Sequence, residues 1–297
     1  MGVTAYLRRD DELSHYYSGN KYYKLFYNLR NAVQQDAKVI VSYGGVYSNH
    51  LYALAAAGKE LNIPTIGIVR GYKSAALTPT LADATACGMR LCFLSKKDYR
   101  VKNAAQVLPM LIEYQNYYLI PEGAENLAGS RGCMAISAAL AEQVPGDYTV
   151  CCPVGTGSTL AGLVAGADTD THRSIRHLGF SVLKGEDKLS TKIRRQLVLL
   201  GKNNNDWQLI TGFHHGGYGK VSAAMLAFMS LFEKRNNVLL EPVYTAKMLW
   251  GIEALAAKGF WPKGSIIIAI HTGGLQGRRG FEASLKPDSV KNSFSPF

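Results

Sequence analysis

Several features that mark specialised protein classes are missing from this chain. Its five cysteines form no Cys-x-x-Cys pair and are odd in number, which argues for reduced thiols in a cytosolic protein and against a disulfide framework. No cysteine or carboxylate stands at ligand spacing, so no metal site is expected. No apolar run approaches the length of a membrane span, and the start, MGVTAYLRRDDE, lacks the apolar centre of a signal peptide. Neither a membrane span nor an export signal is expected.

Long runs of one charge are also missing, although the chain is basic. Its formal net charge is +11 over 297 residues, but Lys and Arg are scattered and form no run longer than a pair such as Arg8 and Arg9. This pattern indicates a basic surface that attracts small anions rather than a nucleic-acid-binding face. With 47% hydrophobic and 19% charged residues, the composition is that of a globular protein with one large domain or two smaller ones.

Short apolar strands alternate with helical segments along most of the chain. KVIVSYGG at 38–45 precedes a helical pattern at 49–61, and YTVCCPVGTG precedes another at 158–167. Continuously apolar strands, each followed by a helix, are typical of parallel sheets covered on both faces. Ligands of such folds bind at the carboxyl ends of the strands. No internal repeat or low-complexity linker marks a domain boundary.

Three loops that follow predicted strands are rich in glycine and hydroxyl residues, namely YGGVYSNH at 43–50, PVGTGSTLAG at 153–162 and HTGG at 271–274. In the middle loop, backbone N–H groups and a helix N-terminus are placed to bind a phosphate. This loop lacks the Gly-Lys-Ser/Thr of a Walker A motif, and Leu160 stands where the dinucleotide fingerprint needs Gly or Ala. It therefore predicts a monophosphate site, with a simple structural turn as the alternative.

The segment SGNKYYKL at 18–25 places Lys21 and Lys24 three residues apart at the start of a predicted helix. Lysines at this spacing share one helix face, so their charges repel. A neighbouring cation and partial burial both lower a lysine pKa and free the amine as a nucleophile. The alternative is an ordinary solvated lysine pair.

Several other polar residues also have two interpretations. Ser48 and Asn49 precede an apolar helical run, where capping is the usual role of such residues. His271 ends a predicted strand, where a histidine is often only hydrogen-bonded in place. The adjacent His214 and His215 point opposite ways in an extended segment and cannot chelate one ion together.

Taken in order, these segments resemble fold-type II pyridoxal-phosphate enzymes, and among them the D-cysteine desulfhydrases and 1-aminocyclopropane-1-carboxylate (ACC) deaminases. The matching segments are LRRDD, SGNKYYKL for the family's GGNKxRKL, YGGVYSNH for GGxxSNH, PVGTGSTLAGL for the phosphate loop, EPVYTAKMLWGI for DPVYTGKAMxGL, and HTGG. The resemblance implies a tryptophan synthase β-like α/β fold with two doubly wound domains. Residues 1–30 plus 131–297 would form the large domain, and residues 31–130 the small one.

The resemblance also implies a pyridoxal 5'-phosphate cofactor and roles for individual residues. Lys21 would carry the cofactor, Lys24 would help to keep its amine uncharged, and Asn20 would fix its approach. The implied catalytic residues are Lys21, Ser48, Tyr218 and Tyr244. The implied cofactor-binding residues are Lys21, Asn49, Gly155, Thr156, Gly157, Ser158, Thr159 and Thr272.

One implied contact favours a particular reaction. A hydroxyl residue such as Thr272, facing the pyridine nitrogen, leaves the ring a weaker electron sink and favours β-elimination. Thr245 stands where the deaminases carry a glutamate. We therefore expect α,β-elimination from a small D-amino acid, giving pyruvate, ammonia and the leaving group. The alternatives are ACC deamination to 2-ketobutyrate, cofactor binding with little turnover, and a phosphate-ligand enzyme without cofactor attachment to a lysine. A cytoplasmic homodimer without nucleic-acid or membrane partners is expected.

The sequence departs from the family pattern near the predicted site. Tyr23 replaces the arginine of NKxRK, and Gly123-Ala124-Glu125 replaces a GGS segment. Glu125 is expected to repel the substrate carboxylate more strongly as water is excluded. These departures affect the choice of substrate more than the choice of cofactor.

Overall fold

The computed structural model describes residues 2–14, 16–74, 76–102, 107–167, 173–185, 187–203 and 206–281. The helices within these residues are α1 Asn20–Gln34, α2 Asn49–Glu60, α3 Pro79–Ala86, α4 Lys96–Val101, α5 Leu108–Leu111, α6 Leu127–Gln143, α7 Ser158–Gly166, α8 Leu189–Leu199, α9 Ala223–Asn236 and α10 Thr245–Ala257. The strands are β1 Thr4–Arg8, β2 Val39–Gly44, β3 Thr65–Arg70, β4 Arg90–Leu94, β5 Tyr117–Ile120, β6 Tyr148–Val154, β7 Ile175–Ser181, β8 Trp207–Ile210 and β9 Ile266–Ile270.

The strands form two parallel sheets. The larger sheet has the order β1-β9-β6-β7-β8, and the smaller one has the order β4-β3-β2-β5. The chain contributes β1 to the larger sheet, builds the whole smaller sheet, and then returns to complete the larger one. This path brings both ends of the described chain to the same sheet, because Thr4 pairs with Ile266 and Arg8 pairs with Ile270.

Both sheets are covered on both faces, which explains why their strands read as continuous apolar runs. Every residue of β6 is buried, and the adjacent Cys151 and Cys152 belong to different hydrophobic clusters on opposite faces of the larger sheet. In β2, Ile40 and Val41 divide in the same way between two clusters of the smaller sheet. Side chains alternate across a strand, so each central strand contributes to two layers of core.

The helices begin where the sequence supplies capping oxygens. In five of them a side chain at the N-cap accepts a hydrogen bond from a backbone N–H of the first turn, as its position predicts. These caps are Ser48, Thr78, Ser95, Asn126 and Ser222. Thr78 is followed by Pro79, whose fixed φ and missing N–H suit the first helical position.

Helices α1 and α6 connect the two sheets and approach each other closely. An added Cβ at Gly132 of α6 would lie 1.9 Å from the carbonyl oxygen of Tyr23 in α1. Only glycine permits this contact, because any side chain would overlap the backbone of the facing helix. The close approach holds the N-terminal part of α1, which carries Lys21 and Lys24, against α6.

The predicted α/β fold with parallel sheets and helices on both faces is confirmed. The two sheets use residues on either side of positions 30 and 130, but the domain boundaries at these positions stay a prediction. In the part of the chain that the structure describes, no helix is long and apolar enough to cross a bilayer. The same residues contain no group of three or more His, Cys, Asp and Glu side chains arranged to hold a metal ion.

Candidate active site

A cleft of about 370 Å³ opens where the carboxyl ends of strands from both sheets face each other. Loops after β2, β5, β6 and β9 line it, as expected for parallel α/β sheets. The structure brings together in this cleft nearly all the residues predicted from sequence, namely Lys21, Ser48, Asn49, Gly155, Thr156, Gly157, Thr159, Tyr218, Tyr244 and Thr272. Ser158 does not line the cleft. It is fully buried in the first turn of α7, with its hydroxyl 3.4 Å from that of Thr156.

Lys21 lies in the first turn of α1, directly after a tight backbone contact. Gly19 has a φ of 65°, and an added Cβ would lie 2.0 Å from the carbonyl oxygen of Thr272, so only glycine fits. The N–H of Asn20 donates to that same carbonyl at 3.3 Å. The loop after β9 therefore fixes the position at which Lys21 enters the cleft.

The amine of Lys21 is held in a form suited to nucleophilic chemistry. Its Nζ donates to Oδ1 of Asn20 at 2.7 Å, and Nδ2 of Asn20 donates to the hydroxyl of Thr159 at 2.8 Å. Burial, followed by the charge of Lys24, lowers the pKa of Lys21 from 10.5 to about 7. A substantial fraction of this amine is thus uncharged near neutral pH.

Lys24 is buried on the same face of α1. Its Nζ donates to the carbonyl oxygen of Gly123 at 3.0 Å, and burial lowers its pKa. Its charge acts on Lys21 in the expected direction, but burial is the larger cause of the lowered Lys21 pKa.

The loop from Gly155 to Thr159 joins β6 to α7 and has little room for side chains. An added Cβ at Gly155 would lie 3.2 Å from the ring of Tyr244. Gly157 has a φ of 95°, and an added Cβ there would lie 2.7 Å from Cγ1 of Ile193. The first N–H groups of a helix lack intrahelical partners, and their dipoles favour an anion. This loop is a backbone cradle of the size and polarity that a phosphate needs.

Ser48 and Asn49 lie on the opposite wall, at the start of α2. The hydroxyl of Ser48 accepts from the N–H of Leu51 at 3.2 Å, so the capping interpretation of Ser48 is confirmed. Asn49 accepts from Nε2 of Gln276 at 2.6 Å, and its Nδ2 lies 2.3 Å from where a Cβ on Gly274 would stand. Both residues border the cleft in addition to these structural contacts.

Tyr218 and Tyr244 meet on the side of the cleft formed by the larger sheet. Their ring centroids are 6.0 Å apart and the rings are inclined by 72°, an edge-to-face pair. Burial raises the pKa of Tyr244, and partial burial raises the pKa of Tyr218, which is 50% exposed, so both phenols are protonated at neutral pH. They are placed to act as hydrogen-bond or proton donors in the cleft.

Two buried charges behind these tyrosines were missed from sequence. The carboxylate of Glu241 accepts from the N–H groups of Val243 at 2.9 Å and Tyr244 at 2.7 Å, and burial raises its pKa to about 7. Lys247 donates to the carbonyl of Gly217 at 2.9 Å, and burial lowers its pKa to about 8. Each charge therefore anchors the backbone next to one tyrosine. The segment EPVYTAK contains the sequence signal for these two charges, since it places Glu241 three residues before Tyr244 and Lys247 three residues after it.

The residues that depart from the family pattern differ in their position relative to the cleft. Tyr23 does not line the cleft, and its hydroxyl accepts from Arg8 at 3.3 Å. Ala124 is fully buried next to the cleft, whereas Glu125 lines it. Glu125 lies 3.5 Å from the ammonium of Lys192, which offsets the repulsion expected for a substrate carboxylate.

His271 has a structural role in this arrangement. Its Nδ1 accepts from the N–H of Gly273 at 3.2 Å, so Nε2 carries the proton and donates to the carbonyl of Leu239 at 2.9 Å. Burial lowers the pKa of this imidazole and keeps it neutral. The histidine thus holds the turn that presents Thr272 to the cleft.

Comparison with known proteins agrees with this geometry. The family model described as pyridoxal-phosphate dependent enzyme matches residues 2–273. The bifunctional D-cysteine desulfhydrase/ACC deaminase of Arabidopsis thaliana is 29% identical over 93% of this chain and 73% of that protein. The D-cysteine desulfhydrase of Klebsiella pneumoniae is 26% identical over 92% of this chain and 88% of that protein. The crystal structure of an ACC deaminase homologue superposes with a TM-score of 0.83 at 27% identity, covering 95% of this chain and 87% of that one.

Proposed function

Because the chain belongs to the family of pyridoxal-phosphate dependent enzymes, we propose that it catalyses α,β-elimination from a small D-amino acid. The products would be pyruvate, ammonia and the leaving group of the β-carbon. The observation that supports this proposal best is Lys21, a lysine with a pKa lowered to about 7, which lines the same cleft as a glycine cradle suited to phosphate. The relatives named as D-cysteine desulfhydrases support the choice of reaction.

The residues of the cleft fit the cofactor that the family uses. The cradle at Gly155 and Gly157 is a space that a single Cβ would fill, and it lies at a helix N-terminus that favours a phosphate. We propose that Asn49 donates to the ring oxygen and that the hydroxyl of Thr272 faces the pyridine nitrogen. When bound, pyridoxal phosphate supplies an electron sink for the bonds at the α-carbon of the amino acid.

The chain's own groups then have separate tasks. Ser48, at the N-terminal end of α2, binds and orients the substrate carboxylate. The amine of Lys21 would take the proton from the α-carbon, because it lines the cleft and its lowered pKa leaves it a base near neutral pH. Tyr218 and Tyr244 hold protons that they can donate to a departing β-substituent.

A second candidate is the opening of ACC to 2-ketobutyrate and ammonia. It is supported by the bifunctional relative and by the ACC deaminase homologue of similar structure. We rank it below elimination because Thr245, a buried residue without a hydrogen-bond partner for its hydroxyl in the described structure, stands where the deaminases are expected to carry a glutamate.

A product screen tests the choice of reaction. The cofactor-loaded enzyme would be incubated with paired D- and L-cysteine, D- and L-β-chloroalanine, and ACC, and the products pyruvate, 2-ketobutyrate, sulfide and ammonia would be measured. We expect pyruvate from the β-substituted D-amino acids at a higher rate than 2-ketobutyrate from ACC. The reverse order would assign the chain to the deaminases, and bound cofactor without any product would indicate a binding protein.

A pair of lysine variants tests the assignment of the cofactor-carrying residue. Lys21→Ala should lose the visible absorbance of the attached cofactor and the covalent label left on its peptide by borohydride reduction. Lys24→Ala should keep both, with a shifted protonation midpoint, because the charge next to Lys21 is removed. A labelled peptide that still forms in Lys21→Ala would show that another lysine carries the cofactor.

We propose a cytoplasmic homodimer as the assembly of the enzyme. Three exposed apolar side chains form one stripe along α1, namely Tyr22 (41% exposed), Phe26 (57%) and Val33 (57%). A stripe of this kind is usual where one protein surface covers another. Light scattering during gel filtration would give the mass directly, and a monomer at micromolar concentration would contradict the proposal.

A further inference from the structure

One cation at the mouth of the cleft has no counter-charge. The acids that line the mouth are each paired within the described residues, Glu125 with Lys192 at 3.5 Å and Glu122 with Lys102 at 3.5 Å. Arg70 lines the same cleft, but no carboxylate lies within 4.0 Å of its guanidinium in the part of the chain that the structure describes. The mouth therefore has one positive charge in excess.

The fold points this charge toward the substrate space. Arg70 is the last residue of β3, and β3 pairs in parallel with β2 so that Val69 lies opposite Gly44. The guanidinium thus reaches the loop that leads to Ser48, and a Cβ on Gly45 would lie 3.9 Å from its NH2 atom. Its Cζ lies 5.8 Å from the centroid of the Tyr99 ring, a contact that orients the planar group.

The common parts of an amino-acid substrate do not need this residue. In the proposed function, the α-carboxylate is bound at the start of α2 by Ser48, and the amino group lies at Lys21. Arg70 is exposed and lines the same cleft as Lys21 and Ser48, so a substituent that extends from the β-carbon to the mouth comes within its reach. A guanidinium without a partner presents two parallel N–H donors that match a carboxylate, phosphate or sulfonate.

We propose that Arg70 binds an anionic group on the side chain of the substrate, so that the enzyme prefers amino acids with an acidic substituent at the β- or γ-carbon. The inference rests on the proposed function, since it takes an amino acid as the substrate. It narrows that function from small amino acids in general to those with a second negative group. The basic surface of the protein, with a net charge of +11, also favours the approach of such anions.

The test compares two ligands of nearly equal shape and different charge. Calorimetric titration of the cofactor-loaded enzyme with D-aspartate and D-asparagine gives the ratio of their dissociation constants, and the L-forms give the same ratio for the other chirality. We expect aspartate to bind about fivefold to tenfold tighter, which is the contribution of a charge-assisted contact at a partly exposed site. In Arg70→Gln this ratio should fall to about one. In Arg70→Lys it should be intermediate, because lysine keeps the charge but lacks the two parallel N–H donors of arginine.

The control variant is Lys73→Gln, which removes an exposed positive charge three residues after Arg70 that does not line the cleft. It should leave the aspartate-to-asparagine ratio well above one. Equal ratios in the parent enzyme and in Arg70→Gln, with thermal unfolding unchanged, would refute the role of Arg70. Failure of the proposed reaction is seen separately, since β-chloro-D-alanine carries no second anion and would then give no pyruvate whatever the binding ratio.

Discussion

Replacing Lys21 by methionine in the cofactor-free protein should raise its stability in a way that depends on pH. Burial and Lys24 lower the pKa of this lysine from 10.5 to about 7. The difference corresponds to about 5 kcal/mol against holding the charged amine in the fold. Methionine keeps most of the aliphatic chain and has no charge, so it removes this cost. It also leaves Oδ1 of Asn20 without its donor, which costs about 1–3 kcal/mol at every pH.

The direction of the pH effect follows from proton binding. Below pH 7 the lysine is protonated in both states, so folding carries the full cost of the buried charge. Between pH 7 and 10.5 the unfolded chain binds this proton and the folded chain does not, so parent stability rises with pH. The advantage of Lys21→Met should therefore be about 2–4 kcal/mol at pH 6 and fall by about 1.4 kcal/mol per pH unit above pH 7.

Urea denaturation of both cofactor-free proteins at pH 6, 7.5, 9 and 10 measures this difference. Lys73→Met is the matched control, since it makes the same replacement at an exposed lysine in the loop after β3. The slope is the decisive quantity, because the lost hydrogen bond changes only the offset. A stability difference between Lys21→Met and the parent that stays constant from pH 6 to 10 would refute the assignment of a lowered pKa to Lys21.

Three other changes should separate cofactor binding, catalysis and substrate binding. Gly157→Ala puts a Cβ on a backbone at φ 95° and 2.7 Å from Cγ1 of Ile193, so cofactor affinity in a fluorescence titration should fall at least about tenfold. Glu241→Gln weakens the two hydrogen bonds that the carboxylate accepts from the backbone at Tyr244. We expect kcat to fall about tenfold or more while cofactor affinity is kept, and an unchanged kcat would contradict this role. Glu125→Gln removes a carboxylate from the mouth, so the KM of a neutral amino acid should fall about twofold to fivefold, and a higher KM would argue against repulsion.

Most of the fold was predictable because strands that are buried on both faces appear in the sequence as continuous apolar runs. Strands such as VIVSYG of β2 and YTVCCPV of β6 are entirely buried and read as apolar runs. The strand β1 has no such apolar run. Its residues TAYLR are mostly exposed, and it exists as a strand because it pairs with β9, more than 250 positions away in the chain. A local pattern contains no information on a partner at that distance.

The candidate site divides in a similar way. Loops at strand ends were found because glycine and hydroxyl residues have a recognisable composition, and the topology then brought them to one cleft. Glu241, Lys247 and Arg70 were not found, because a single charged residue usually indicates a solvated surface. Only the fold shows that the first two are about 1% exposed and that the third faces the cleft without an acidic partner.

The paired lysines of α1 lie on one helix face but have different partners. Lys24 donates to the backbone carbonyl of Gly123, and Lys21 donates to the side-chain oxygen of Asn20, which is itself held by Thr159 at the start of α7. Both acceptors are amide oxygens, so the hydrogen bonds alone do not make the two amines different. Burial lowers the pKa of both lysines, and the charge of Lys24 adds to the effect on Lys21. The second lysine therefore helps to keep the amine of Lys21 uncharged, which is a reason for two cations at this spacing.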